Sequence, residues 1–208
     1  MLLTRHGETT ANAARRFAGH SEVELTALGR RQARALGRRL RHERIDAAYA
    51  SDLRRASETA RIALGAREIA VQIEPRLREM SFGEWEGLTF DEIRAGWPDH
   101  HHHLRAIGEH FHAPGGEPFI ETRRRIIEVY DEIVARHNEQ TVLIVAHGGT
   151  LQVILQHLLG LPDSAIFRLS TSNCGLTVAE HFGERAIVTR VNDTAHLEPR
   201  RRNRASSA

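Results

Sequence analysis

Two histidines in this chain stand in the same local setting. His6 follows the apolar run MLLT and Arg5 and precedes Gly7; His147 follows TVLIVA and precedes Gly148 and Gly149. An apolar run that breaks into His-Gly and then into a helical pattern reads as a strand end entering a helix. A third unit of this kind, AYA followed by SDLRR, supplies Arg54 and Arg55. In an open parallel sheet all such turns emerge at the carboxyl edge of the strands, where ligands bind. His6, His147, Arg5 and one or both of Arg54 and Arg55 are therefore expected to converge. Two imidazoles and two guanidinia, with glycines letting a ligand approach the backbone, suit a phosphate dianion.

A metal site is the rival reading of the two histidines. It fits less well, because arginines beside the imidazoles repel a cation and no carboxylate or thiolate set completes the site. A bland reading, in which each histidine merely hydrogen-bonds at a strand end, serves for one of them alone. The duplicated strand-His-Gly context argues against it for the pair. Glu79, in LREMSFG, would by itself read as a surface carboxylate balancing Arg76 or Arg78.

The elements that must position these residues alternate. MLLT is a short strand. A helix is expected from Thr26, with Gly29, Ala33, Leu36 and Leu40 on one face at helical spacing. DAAYA (46–50) is a second strand, with Ser51 placed to cap a helix through SDLRRASETARIAL. VQIE (71–74) is a third, and TFDE (89–92) has the spacing of a capping box. A long helix should run from about Pro118 to His137, with Ile126, Ile127, Tyr130, Ile133 and Val134 buried. TVLIVA (141–146) has the continuous apolar character of a buried strand. The helix after it is stopped by Gly160 and Pro162, and two more strands, LTVAEHF and AIVTRVN, flank a Gly-Glu turn at 183–184. The fold class is α/β, a mostly parallel sheet with helices on both faces.

Composition bounds the rest. At 208 residues the chain is long enough for one well-buried domain. No apolar run approaches the roughly 20 residues that span a bilayer, and the N-terminus does not read as a signal peptide. The single cysteine, Cys174, forms no internal disulfide and fits a reducing compartment, so a cytoplasmic location is expected. A pI of about 9.3 suggests nucleic acid, but the charge is badly distributed for that. All 29 basic residues are arginine, and four of them (Arg200, Arg201, Arg202, Arg204) lie in the last nine residues. Residues 1–199 thus hold 25 Arg against 27 Asp plus Glu, a formal −2. Neither nucleic acid nor a membrane is the expected partner. A small phosphate ester is, with a homodimer left open.

RHGETTAN, LTALGRRQA, SDLRRASETA, LREMSFGEWEG, PGGE, VLIVAHGG and NDTAHL, taken together and in this order, resemble the histidine phosphatase superfamily, the phosphoglycerate mutase-like fold. The resemblance runs to about Leu197. It implies a three-layer α/β/α sandwich over 1–197 and a variable cap at about 80–116; the Arg-rich tail at 198–208 is expected from its composition to be disordered. It also implies that His6 is a nucleophile that becomes phosphohistidine. By the same resemblance Arg5, Arg55 and His147, with Gly148, bind the phosphoryl oxygens, Asn12 adds a phosphate contact, and Glu79 is the proton donor. No metal or other cofactor is implied. Adjacent helical residues point about 100° apart, so only one of Arg54 and Arg55 should face the phosphate; the resemblance selects Arg55.

LREMSFGEWEG resembles the phosphatase branch, so the expected activity is hydrolysis of a small phosphate monoester, with a phosphoglycerate mutase as the alternative. A non-catalytic binding protein is the third class, and the intact set of five residues argues against it. The chain departs from the family pattern at Ala18, Glu58 and Gln152, where relatives have glutamine, glutamine and arginine, which leaves substrate identity open among α-ribazole phosphate, phosphoglycerates, glucosyl-phosphoglycerate and sugar phosphates. DHHHH (99–103) reads as an exposed loop. Phe82, Trp85, His110 and His112, with Phe111, are the candidate substrate rim.

Overall fold

The computed structural model describes residues 1–98, 111–165, 168–183 and 185–198. The elements that position the strand-end residues begin with β1 (Leu2–Arg5) and a one-turn helix α1 (Thr10–Ala13), closed by a reciprocal capping box between Thr9 and Asn12. The helix α2 (Ala27–Leu40) starts where Thr26 Oγ1 accepts from the Gly29 amide at 3.0 Å, and it buries Gly29, Ala33, Leu36 and Leu40 as the spacing predicts. Then come β2 (Ala47–Ala50), α3 (Arg54–Leu64), β3 (Val71–Ile73), α4 (Phe90–Gly96), α5 (Phe119–Arg136), β4 (Val142–Ala146), α6 (Gly148–Leu159), β5 (Leu176–Phe182) and β6 (Arg185–Asp193).

The strands form one sheet in the order β3-β2-β4-β1-β5-β6. The first four are mutually parallel, and β5 and β6 add an antiparallel hairpin at one edge. All five residues of β4 are buried, because a central parallel strand is covered on both faces. Alternate strand residues serve opposite layers. Leu3, Tyr49 and Ile144 pack with Ile126 and Tyr130 of α5 and Leu151 and Ile154 of α6. Leu2, Ala48, Leu143 and Val145 pack with Leu36 and Leu40 of α2 and Ala56 and Ala60 of α3. This is the three-layer α/β/α arrangement. Burying a leucine contributes roughly 1.5–3 kcal/mol, so Leu36, fully covered, anchors α2 on the sheet.

Some local details differ from the sequence pattern. The Thr89/Glu92 capping box is present, but Ser51 does not cap α3. That helix begins at Arg54 with Leu53 in the cap position, and Ser51 Oγ accepts from the Leu53 amide within the preceding turn. Leu53 is itself a core residue, so anchoring it delays the helix. On α5 the buried stripe is Phe119, Ile126, Val129, Tyr130 and Ile133, while Ile127 and Val134 lie at its partly covered margin. Two short 3₁₀ turns, Pro75–Leu77 and Gly83–Trp85, add to the elements that the sequence pattern predicts, since neither carries an apolar period. The histidine run at 99–103, His110, and the chain beyond Glu198 lie outside the described residues.

Candidate active site

Register brings the strand ends together. Arg5 at the end of β1 pairs with Ala146 at the end of β4, and Ala50 of β2 pairs with Val145. The next residues on β1 and β4 are the two histidines, and the His6 amide donates to the Ala146 carbonyl at 3.0 Å. Their rings meet edge to face with centroids 5.1 Å apart. Both are buried, His6 4% exposed and His147 0%.

Each ring is held in one tautomer. His6 Nδ1 lies 2.7 Å from the Gly7 carbonyl oxygen, which can only accept, so Nδ1 carries the proton and Nε2 keeps its lone pair. Burial, then the charges of Arg5 and Arg55, hold this imidazole well below its usual pKa, against the Gly7 carbonyl, so it is neutral at pH 7. His147 is also held well below its usual value, by burial and then by Arg55, His6 and Arg5. Its Nδ1 accepts from Arg55 Nε at 3.3 Å, so its proton is on Nε2. That Nε2 and the Nε of Arg5 are buried donors with no hydrogen-bond partner among the described residues. Two unpaired buried donors beside a neutral imidazole have the chemistry to receive an anion.

The arginines are seated by carbonyls distant in sequence. Arg55 is 1% exposed; its Nη1 and Nη2 donate to the Ser21 and Gly19 carbonyls at 2.9 and 2.6 Å. Arg54 points outward to Glu24, so of the two only Arg55 faces the site. Arg5 Nη1 donates to the Thr171 carbonyl at 2.9 Å. Asn12 Oδ1 accepts from the Thr9 amide and from Asn173 Nδ2, which leaves the NH₂ of Asn12 as the group free to donate toward the cavity it lines.

Glu79 lines the same cavity. Its Oε2 accepts from the Gly149 amide at 2.9 Å, at the N-terminus of α6, and its Oε1 from the Met80 amide at 3.1 Å. A Cβ on Gly149 would collide with Glu79 Oε1, and one on Gly148 would touch the Arg5 guanidinium. These glycines make room for protein side chains, and Gly7 makes room for the Gly29 carbonyl of α2. Gly148 and Gly149 also line the cavity, as expected of glycines that let a ligand approach, whereas Gly7 does not.

Several organising residues have no site role assigned by the sequence pattern, although some stand inside the quoted motifs. Arg125 donates to the backbone carbonyls of Arg76, Arg78 and Glu79 while paired with Glu117 of PGGE. Glu86 accepts from the His20, Ser21 and Phe82 amides and from Ser21 Oγ, binding the loop whose carbonyls seat Arg55. Burial alone would raise the Glu86 carboxyl; the hydrogen bonds from Ser21, His20 and Phe82 together outweigh it and hold it below its usual range. Thr59 Oγ1 accepts from the Gly7 amide at 3.0 Å, and Asn173 Nδ2 donates to the His6 carbonyl at 2.9 Å.

Of the candidate rim, Phe82 lines the cavity and packs edge-on against Phe17. Trp85 does not: it is fully buried, edge-on to Trp97 and tilted against Phe111, and Phe111 is itself in the core. His112 is exposed and outside the cavity lining. The cavity has a volume of about 260 Å³. Among the described residues, no group of three or more His, Cys, Asp or Glu is arranged to hold a metal ion, and no helix is long and apolar enough to cross a membrane.

The profile of the histidine phosphatase superfamily (branch 1) matches residues 1–194. A protein of Erwinia tasmaniensis named probable phosphoglycerate mutase GpmB is 35% identical over 203 residues, 95% of this chain and 94% of its own. The solved structure of Bacillus stearothermophilus YhfR superposes with a TM-score of 0.89 at 38% identity, covering 95% of this chain and 98% of that one. A mycobacterial glucosyl-3-phosphoglycerate phosphatase, solved with VO₃, superposes with a TM-score of 0.85 at 31% identity, covering 93% and 98%.

Proposed function

This chain belongs to the histidine phosphatase superfamily, and from that premise we propose that it hydrolyses a small phosphate monoester through a phosphohistidine on His6. The observation that carries the reading is the tautomer of His6. Its Nδ1 proton is committed to the Gly7 carbonyl, so Nε2 is an available nucleophile at neutral pH that needs neither a metal nor a second base.

In the first step Nε2 attacks phosphorus and the P–O bond to the alcohol breaks. Negative charge spread over the equatorial oxygens meets Arg5, Arg55, the Nε2–H of His147 and the NH₂ of Asn12. The ring becomes positively charged as it is phosphorylated, and the Gly7 carbonyl opposite Nδ1–H stabilises that charge. An alkoxide leaves poorly, so Glu79 gives it a proton. In the second step ionised Glu79 takes a proton from water, water attacks phosphorus, and the bond to Nε2 breaks to return His6 and inorganic phosphate.

The mutase reading is supported by the name of the Erwinia relative. It differs in the acceptor of the second step, a hydroxyl of the same carbon skeleton in place of water. Both are tested by incubating a panel of monoesters, including both phosphoglycerate isomers, with chelator present and following products by ³¹P NMR. Hydrolysis predicts inorganic phosphate as the product and its loss in His6→Ala. Isomer exchange without net phosphate release would establish the mutase instead. Activity abolished by chelator, or surviving in His6→Ala, would overturn the route through His6.

A further inference from the structure

Arg15 and Arg16 both line the cavity that holds His6, but they meet different surroundings. Arg16 Nη1 donates to the Gly87 carbonyl at 2.6 Å and pairs with Glu92 at 2.8 Å. Arg15 is exposed, and its guanidinium has no hydrogen-bond or ion-pair partner among the described residues. Its backbone sits at φ 54°, a left-handed conformation disfavoured for a residue with a Cβ and found where surrounding structure has a use for it. The Arg15 amide donates to the Asn12 carbonyl at 3.1 Å, so this side chain leaves the same turn that presents Asn12.

The charges lining the cavity are unbalanced. Among the described residues, Arg5, Arg15, Arg16 and Arg55 share the lining with one carboxylate, Glu79. Arg16 is offset by Glu92, and the transferred phosphoryl group engages Arg5 and Arg55. Arg15 remains as a surplus cation. A cavity of about 260 Å³ is near the lower end for small-molecule sites, so it accommodates a short alcohol portion, and a group a few bonds from phosphorus falls at the cavity wall.

We propose that Arg15 forms a subsite for a second anionic group on the alcohol portion of the substrate, so that the preferred substrates are phosphate monoesters that also carry a carboxylate or a second phosphate. The proposal rests on the phosphatase reading and adds to it a substrate class and a specificity residue.

The test uses two substrate pairs, each differing in one anion: 3-phosphoglycerate against glycerol 3-phosphate, and fructose 1,6-bisphosphate against fructose 6-phosphate. Each is measured for kcat/KM and for binding by calorimetry. The wild-type chain should favour the doubly anionic member of at least one pair by roughly tenfold, the scale of one charge-assisted contact; which pair responds tells carboxylate from phosphate. Arg15→Gln should erase that preference while leaving the singly anionic ester within about twofold, and Arg15→Lys should restore part of it. Arg15→Gly should erase it with no fall in Tm, because glycine relieves the backbone conformation. Equal losses on both members of a pair, or a preference unchanged in Arg15→Gln, would overturn the subsite. Preference in binding without turnover of any ester would retain the subsite and count against the phosphatase reading alone.

Discussion

The Nε of Arg55 lies 3.3 Å from Nδ1 of His147, and this contact puts the proton of His147 on Nε2. His6, 5.1 Å away between ring centroids, has the opposite tautomer because its Nδ1 faces the Gly7 carbonyl. One ring therefore offers a lone pair and the other a proton, without any charge on either.

The tautomers are directly observable. Long-range ¹H–¹⁵N spectra of the resting protein at pH 7 should show His6 protonated at Nδ1 and His147 at Nε2. A His6 found protonated at Nε2, or an imidazolium at either position, would remove the basis for nucleophilic attack.

Arg55 also carries the expected cost of its own replacement. Arg55→Lys keeps the charge but loses the planar fork that reaches the Gly19 and Ser21 carbonyls and His147 together. A fall in kcat/KM of about 10² to 10³ is expected, as for loss of one preorganised donor at a developing oxyanion. Steady-state kinetics on any hydrolysed ester checks it; a loss under threefold would place Arg55 outside the phosphoryl site.

Glu79 separates the two chemical steps. With p-nitrophenyl phosphate the leaving group needs little protonation, whereas the water step still needs a base. Glu79→Gln should therefore release a burst of one p-nitrophenolate per active site and then stall, with phosphate trapped on His6 and detectable by mass spectrometry under alkaline conditions. Slow turnover with no burst and no trapped phosphate would mean that Glu79 does not serve the second step.

Glu86 acts on the site through a loop. In Glu86→Gln the amide NH₂ replaces one acceptor oxygen, so at least one of the His20, Ser21 and Phe82 amides loses its partner. The Gly19 and Ser21 carbonyls that seat Arg55 then loosen. Inhibition by inorganic phosphate should weaken about tenfold, with Glu86→Asp intermediate. Unchanged phosphate inhibition would confine Glu86 to a packing role.

The legible and illegible parts of this molecule follow from what a linear pattern can carry. Strands, helices and their breakers have local periods, so VLIVA, the buried face of α2 and the Thr89 capping box stand as the spacing predicts. The strand-His-Gly repeats placed His6 and His147 at one edge. What seats the arginines is different in kind: the Thr171 carbonyl for Arg5, and the Gly19 and Ser21 carbonyls for Arg55. Backbone acceptors have no residue identity, and Thr171 lies 166 positions from Arg5. Trp85 failed as a rim residue for a related reason: an isolated tryptophan in a turn has no period to say which way it faces, and here it completes the core.

The buried histidines also set the acid stability of the fold. His6 and His147 are both held well below the ordinary value of about 6.5 by burial and neighbouring positive charge. In the unfolded chain they bind protons below that pH; in the folded chain they do not until far lower. The unfolded state thus binds more protons, and stability falls as pH drops through about 6.5 and below. Each such histidine contributes a slope of about 1.4 kcal/mol per pH unit. His181 and His196, lowered chiefly by burial, add in the same direction. Urea midpoints measured from pH 7.5 to 5 should decline, before the carboxylates begin to titrate. In the double variant His6→Gln, His147→Gln the decline should lose up to two protons of slope, even if its stability at pH 7.5 is lower. A slope equal to that of wild type would mean that these two rings titrate in the folded protein as they do in the unfolded chain, so that burial and the neighbouring arginines do not hold them neutral below pH 6.5.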